Sequence, residues 1–152
     1  MGLVFAFHRI SDDDAARIIA DVATAFDLID AINRNGEPAG DIDKAWDGLH
    51  YLLGAAGVGF DLLREDEPSR DEACTTVWSA EEVAAAALSL AATPFDLLAE
   101  HFDPEELGKE GIYPDIWESE WSLDYLRDHY IGLQEFFTHA AATGSPVVGR
   151  FE

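Results

Sequence analysis

From Ser122 to Ala142 the side chains Leu126, Tyr130, Leu133, Phe137 and Ala140 fall on one stripe at helical spacing, with Asp124, Asp128 and Glu135 opposite. A helix of that length is about 30 Å long. Its apolar stripe must be covered by other elements of the chain. Gly144 stops the helix, and Pro146 to Phe151 reads as a closing strand. At the other end, Leu3-Val4-Phe5-Ala6-Phe7 is a continuous apolar run, the pattern of a strand buried on both faces.

Between these ends the signals are mostly helical. Ser11 offers an N-cap ahead of Asp12, Asp13 and Asp14, whose charges suit the positive end of a helix dipole, and Ile18, Ile19, Val22 and Phe26 continue at helical spacing. Asn35 to Gly40 is a loop, and a second helix is expected from about Asp43 to Leu53. Cys74 to Trp78 is a candidate short strand. Ser79-Ala80-Glu81-Glu82 has the form of a capping box and opens a helix with seven alanines up to Ala92. Small residues on every side of that helix predict burial all round. Thr93-Pro94 starts another helix. The expected fold class is mixed α/β and helix-rich, one domain over residues 1–152. Its small sheet includes the N- and C-terminal strands and is surrounded by helices.

Charge narrows the function. The 152 residues carry 31 acids and 9 Lys and Arg, a formal net charge of −22. Spread over a folded surface, that is roughly one uncompensated charge per 350 Å². The two halves share it almost equally. Phosphate backbones and anionic membranes are repelled by such a surface, so neither nucleic acid nor membrane is an expected partner. Cys74 is the single cysteine, which fits a reducing compartment. The apolar start is five residues long, too short for a signal peptide or a membrane span. A soluble cytoplasmic protein is expected, and no cofactor is predicted.

Two segments carry a resemblance. Asp41-Ile42-Asp43-Lys44-Ala45-Trp46-Asp47-Gly48-Leu49-His50-Tyr51-Leu52-Leu53 resembles the central motif of the YfbM-like proteins, a family of bacterial single-domain proteins of unknown function. Ile112-Tyr113-Pro114 is similar to that family's second landmark, and the order of elements is similar over nearly the whole chain. The resemblance implies a compact domain with helices around a small sheet, in which Lys44, Trp46, Leu49 and Pro114 are structural motif residues. It brings no catalytic residues.

Taken as a helix, the first motif has a broad apolar face, with Asp43, Asp47 and His50 within about 60° of one another at its border. Two carboxylates and an imidazole on one stripe would hold a divalent cation, or let His50 act as a base oriented by Asp47. The structural alternative has Asp43 or Asp41 capping the helix, Asp47 paired with Lys44, and His50 packed beside Trp46. Phosphate loops, His-Glu-x-x-His and paired-cysteine metal spacings are missing. No metal ligand set is assigned. His8, His101 and His139 show no partner in the sequence.

The stretch from Thr93 to Asp128 holds 11 acids and 2 bases, interleaved with aromatics. Among these, Tyr113, Trp117, Trp121 and Tyr125 are candidate partner-binding residues, and the last three are four apart, so a helix would align them. Aromatic anchors rimmed by acids suit a basic protein partner. The alternative is that the aromatics face the core. Two functions follow: a non-enzymatic binding module for a basic protein, inhibitor- or immunity-like, or a metal-assisted hydrolase using Asp43, Asp47 and His50. The oligomeric state is open.

Overall fold

The computed structural model describes residues 2–65, 67 and 71–152. Strand β1 (Phe5–Arg9) is followed by helices α1 (Asp12–Ala20) and α2 (Ala25–Asp30), the two-residue strand β2 (Gly40–Asp41) and helix α3 (Trp46–Ala55). Strand β3 (Thr76–Trp78), helices α4 (Ala80–Ala91), α5 (Phe95–Ala99), α6 (Pro104–Lys109) and α7 (Ser122–Ala142), and strand β4 (Val147–Phe151) complete the order. This is the expected helix-rich α/β architecture.

The strands form one antiparallel sheet in the order β2-β1-β4-β3, with the first and last strands paired at its centre. Phe5 lies opposite Phe151, Phe7 opposite Gly149 and Arg9 opposite Val147. A Cβ at Gly149 would sit 2.8 Å from the Phe7 ring, so glycine there makes room for the aromatic side chain. Side chains alternate between sheet faces, and both faces are covered. Phe5, Phe7, Trp78 and Val147 join α3, α4, α5 and α7 in the main core, where Phe7 meets Phe137 edge-on at 5.2 Å. On the other face α1 and α2 supply Ala15, Ile18 and Ala25, which pack with Ile10 and Val148.

Local signals set several helix starts. Ser11 Oγ accepts the Asp14 N–H at 3.1 Å. Ser79 Oγ accepts the Glu82 N–H at 3.1 Å, and Glu82 returns the bond to the Ser79 N–H at 3.0 Å. The long helix runs over Ser122–Ala142 as expected, with Leu126, Tyr130, Leu133, Phe137 and Ala140 all buried.

Three expectations are corrected. The helix from Asp12 does not continue to Phe26: Asp21 is extended, its carboxylate caps Ala23 N–H at 3.1 Å, and the chain turns before α2. Phe26 is therefore 66% exposed. Helix α4 is buried on one face only, through Val83, Ala86 and Leu90, while Leu88 is 74% exposed. Alanine stabilises a helix by backbone propensity and does not require burial to do so. The central motif is helical from Asp43 but not α-helical there: Asp43, with φ +49°, opens a 3₁₀ helix over Asp43–Ala45, and α3 starts at Trp46. Among the described residues, no helix is long and apolar enough to cross a membrane.

Candidate functional site

The two groups of candidate residues meet at one place. After β2, Asp41 Oδ1 accepts the Asp43 N–H at 2.8 Å, a local turn that an aspartate two residues back is suited to make. This sends the chain into α3 with Asp43 directed toward Tyr125 in the first turn of α7 and Asp47 toward the segment before that helix. Asp43 Oδ2 accepts the Tyr125 hydroxyl at 2.7 Å, and that hydroxyl oxygen accepts the Lys44 N–H at 3.1 Å. Asp47 Oδ2 accepts the Tyr113 N–H at 2.9 Å. Asp43 and Asp47 are thus both acceptors for the aromatic segment.

Trp46 and Tyr113 stack at 5.6 Å, and each also bonds the chain just before β1. Trp46 Nε1 donates to the Leu3 carbonyl at 2.8 Å, and the Leu3 N–H donates to Tyr113 Oη at 2.7 Å. The Tyr113-Pro114 peptide is cis, and Trp117 Nε1 closes the following turn on the Ile112 carbonyl at 2.8 Å. The Trp117 ring rests on α3. A Cβ at Gly48 would lie 2.6 Å from Trp117 Cη2 and 2.9 Å from Leu126 Cδ2, so the glycine permits this close approach. Leu49 is fully buried in the core beside these contacts.

The expected stripe of Asp43, Asp47 and His50 is divided among separate partners. His50 Nε2 hydrogen-bonds Glu65 Oε1 at 2.8 Å, and its Nδ1 lies 3.9 Å from Asp61 Oδ1. The Asp47–Lys44 pair is not among the ion pairs of the described residues, because Asp47 serves the Tyr113 amide instead. No group of three or more His, Cys, Asp or Glu among the described residues is placed to hold a metal ion.

The aromatics also separate. The helix that would align Trp117, Trp121 and Tyr125 begins only at Ser122, so Trp117 belongs to the preceding turns and points into the core at 2% exposure. It offers no surface to a partner. Trp121, at the start of α7, is 53% exposed and sits edge-on to Tyr125 at 5.9 Å. Tyr125 in turn contacts the His129 ring at 4.7 Å. Burial, reinforced by the bond to Asp43, pushes the Tyr125 hydroxyl well above the ordinary tyrosine range, so it remains a donor.

Partners invisible to sequence reading appear elsewhere. His8 Nε2 lies 2.7 Å from Glu152 Oε2, and His139 Nε2 lies 3.7 Å from Glu37 Oε2. Strand pairing brings His8 near Glu152 across 144 positions, so no local spacing would have revealed it.

A sequence model of the family described as domain of unknown function (DUF1877) matches residues 1–149. No curated protein matches this sequence. Among solved structures, YfbM from Escherichia coli, titled a protein of unknown function, is similar with a TM-score of 0.74. The match covers 98% of this chain and 99% of that one at 20% identity, a likeness of fold.

Proposed function

The chain belongs to the DUF1877 family, and from its own surface we propose that it is a non-enzymatic binding module for a basic protein partner, acting in the cytoplasm. The observation that carries this reading is Trp121. It is half exposed, and Glu118, Glu120 and Asp128 around it in sequence are exposed and form no ion pair with a described residue. A large aromatic surface beside unpaired carboxylates suits a cationic surface that contributes Arg or Lys, both to the acids and to the indole face.

The rest of the charge supports it. Among the described residues, six of the eight Lys and Arg already sit in ion pairs with acids of this chain. The surplus negative charge therefore has no internal counterpart. It steers a positive partner toward the surface and repels negative ones. An inhibitor- or immunity-like role, in which the module covers a basic protein, fits this electrostatic design. The hydrolase alternative receives no comparable support, since Asp43 and Asp47 accept from Tyr125 and Tyr113.

The test is affinity capture from a lysate of the source organism at low and high salt, with the wild type and Trp121→Ala side by side. The reading expects a basic protein retained near one-to-one, weakened by salt and lost with Trp121→Ala. Retention of only acidic or neutral proteins, or capture indifferent to both salt and Trp121, overturns it.

A further inference from the structure

Near the far end of α7 a cleft of about 300 Å³ opens between β1, the segment from Ile29 to Asp41, and α7 itself. In a chain of net charge −22 this cleft gathers Arg9, Arg34 and His139 around a single carboxylate, that of Glu37. Arg9 Nη2 donates to Glu37 Oε1 at 2.9 Å and to Oε2 at 3.2 Å. Arg34 Nε lies 3.8 Å and His139 Nε2 3.7 Å from the same Oε2. Arg9 Nη1 donates to Ser145 Oγ at 2.9 Å, which fixes the guanidinium.

Glu37 leaves this set of groups incompletely satisfied. Arg9 Nε and His139 Nε2 are buried and have no hydrogen-bond partner. A guanidinium Nε is always a donor, and a buried donor without an acceptor is costly. Glu37 is tethered to an exposed turn in which Gly36 takes φ +85°, so its carboxylate is not free to move as an untethered one is. Ile32 and Phe136 contribute apolar wall to the cleft. The two other titratable groups lining it are engaged elsewhere: Asp41 holds the Asp43 N–H, and His8 holds Glu152.

We propose that this cleft binds a small organic carboxylate with an apolar body, whose carboxylate takes the position that Glu37 now occupies. A planar carboxylate matches the guanidinium fork, as Glu37 demonstrates, and a free ligand is released from the tether that restricts Glu37. The apolar body lies against Ile32 and Phe136. Glu37 is then an internal competitor, and its removal strengthens binding because a tethered group competes at high effective concentration. Trp121 is about 27 Å away along α7, so the cleft is independent of the cationic-partner surface.

The probe is benzoate, with benzamide as its neutral isostere, titrated into the wild type and Glu37→Gln by calorimetry while the His139 ring signals are followed by NMR. Glu37→Gln is expected to bind benzoate at least about tenfold more tightly than the wild type. Benzamide should bind neither, and adding Arg34→Ala should reverse the gain. A folded Glu37→Gln that ignores benzoate, or binds benzamide equally well, overturns the proposal. Should Glu37→Gln fail to fold, the wild type decides: high benzoate must move the His139 signals and leave those of His50 in place, and unmoved His139 signals overturn it. Trp121→Ala leaves all of these outcomes unchanged.

Discussion

The backbone N–H of Tyr113 donates to Asp47 Oδ2 at 2.9 Å, joining two segments 66 positions apart. With the stack of Tyr113 on Trp46 and the bond of Tyr125 to Asp43, it makes the central motif and the Ile112-Tyr113-Pro114 segment one unit. The conspicuous carboxylates of the motif therefore act through their acceptor geometry. Asp47→Ala removes the acceptor of a part-buried amide and should cost about 1–3 kcal/mol. Asp47→Asn keeps an oxygen at the same place and should cost less. Urea denaturation of both variants checks this, and equal losses would assign the effect to charge.

Gly48 explains itself through the ring of Trp117. Gly48→Ala inserts a methyl where only 2.6 Å separates it from Trp117 Cη2, so overpacking outweighs the gain in helix propensity. A loss of about 1–3 kcal/mol is expected, measured as a shifted urea midpoint at constant slope.

The two tryptophans before α7 should behave oppositely. Trp117→Ala empties a fully enclosed site and should cost about 3–5 kcal/mol. Trp121→Ala removes a half-exposed ring and should change stability by about 0.5 kcal/mol or less, while weakening partner capture. Thermal melts of the two variants, compared with the capture experiment, separate fold from surface.

Acid should unfold the protein partly through three glutamates. The Arg9 hydrogen bond holds Glu37 below the ordinary value of 4.5. For Glu82, burial acts upward but is outweighed by the Ser79 N–H and by Arg64. The His8 hydrogen bond lowers Glu152 against its own burial. Each binds fewer protons folded than unfolded, so its contribution is complete above pH 4.5 and is lost as pH falls toward the depressed folded values. The melting temperature of the wild type should drop more between pH 5 and pH 3 than that of a variant with Gln at positions 37, 82 and 152. Comparing the two slopes cancels the general relief of charge repulsion. Parallel curves would refute the assignment.

Where the sequence was legible, the signal was short-range. The Ser11 cap, the Ser79–Glu82 box and the stripe of α7 depend on residues within a few positions of one another, and the structure contains all three. The break at Asp21 is not legible because apolar spacing carries smoothly to Phe26, while the side-chain cap that interrupts the helix looks like any other aspartate. The site was half legible. Its residues stood out, yet their partners did not, because Asp43 meets Tyr125 and Asp47 meets Tyr113 through tertiary packing. Four-residue spacing from Trp117 to Tyr125 suggests one helix face. The turn closed by the indole of Trp117 on Ile112 competes with that helix and places the two tryptophans in different surroundings.

The central pairing of β1 with β4 bears on the route by which the protein forms. Phe5 meets Phe151, so the middle of the sheet closes a loop of nearly the whole sequence. Forming it requires giving up the entropy of that loop before its contacts reward it, which predicts slow folding for a chain so rich in helix. On the ribosome β1 is made well before β4, the neighbour with which it shares its longest pairing. Until β4 follows, its Phe5, Ala6 and Phe7 have no strand on that side to cover them. A dense negative charge keeps such nascent chains apart, giving −22 a use that begins before the protein is folded.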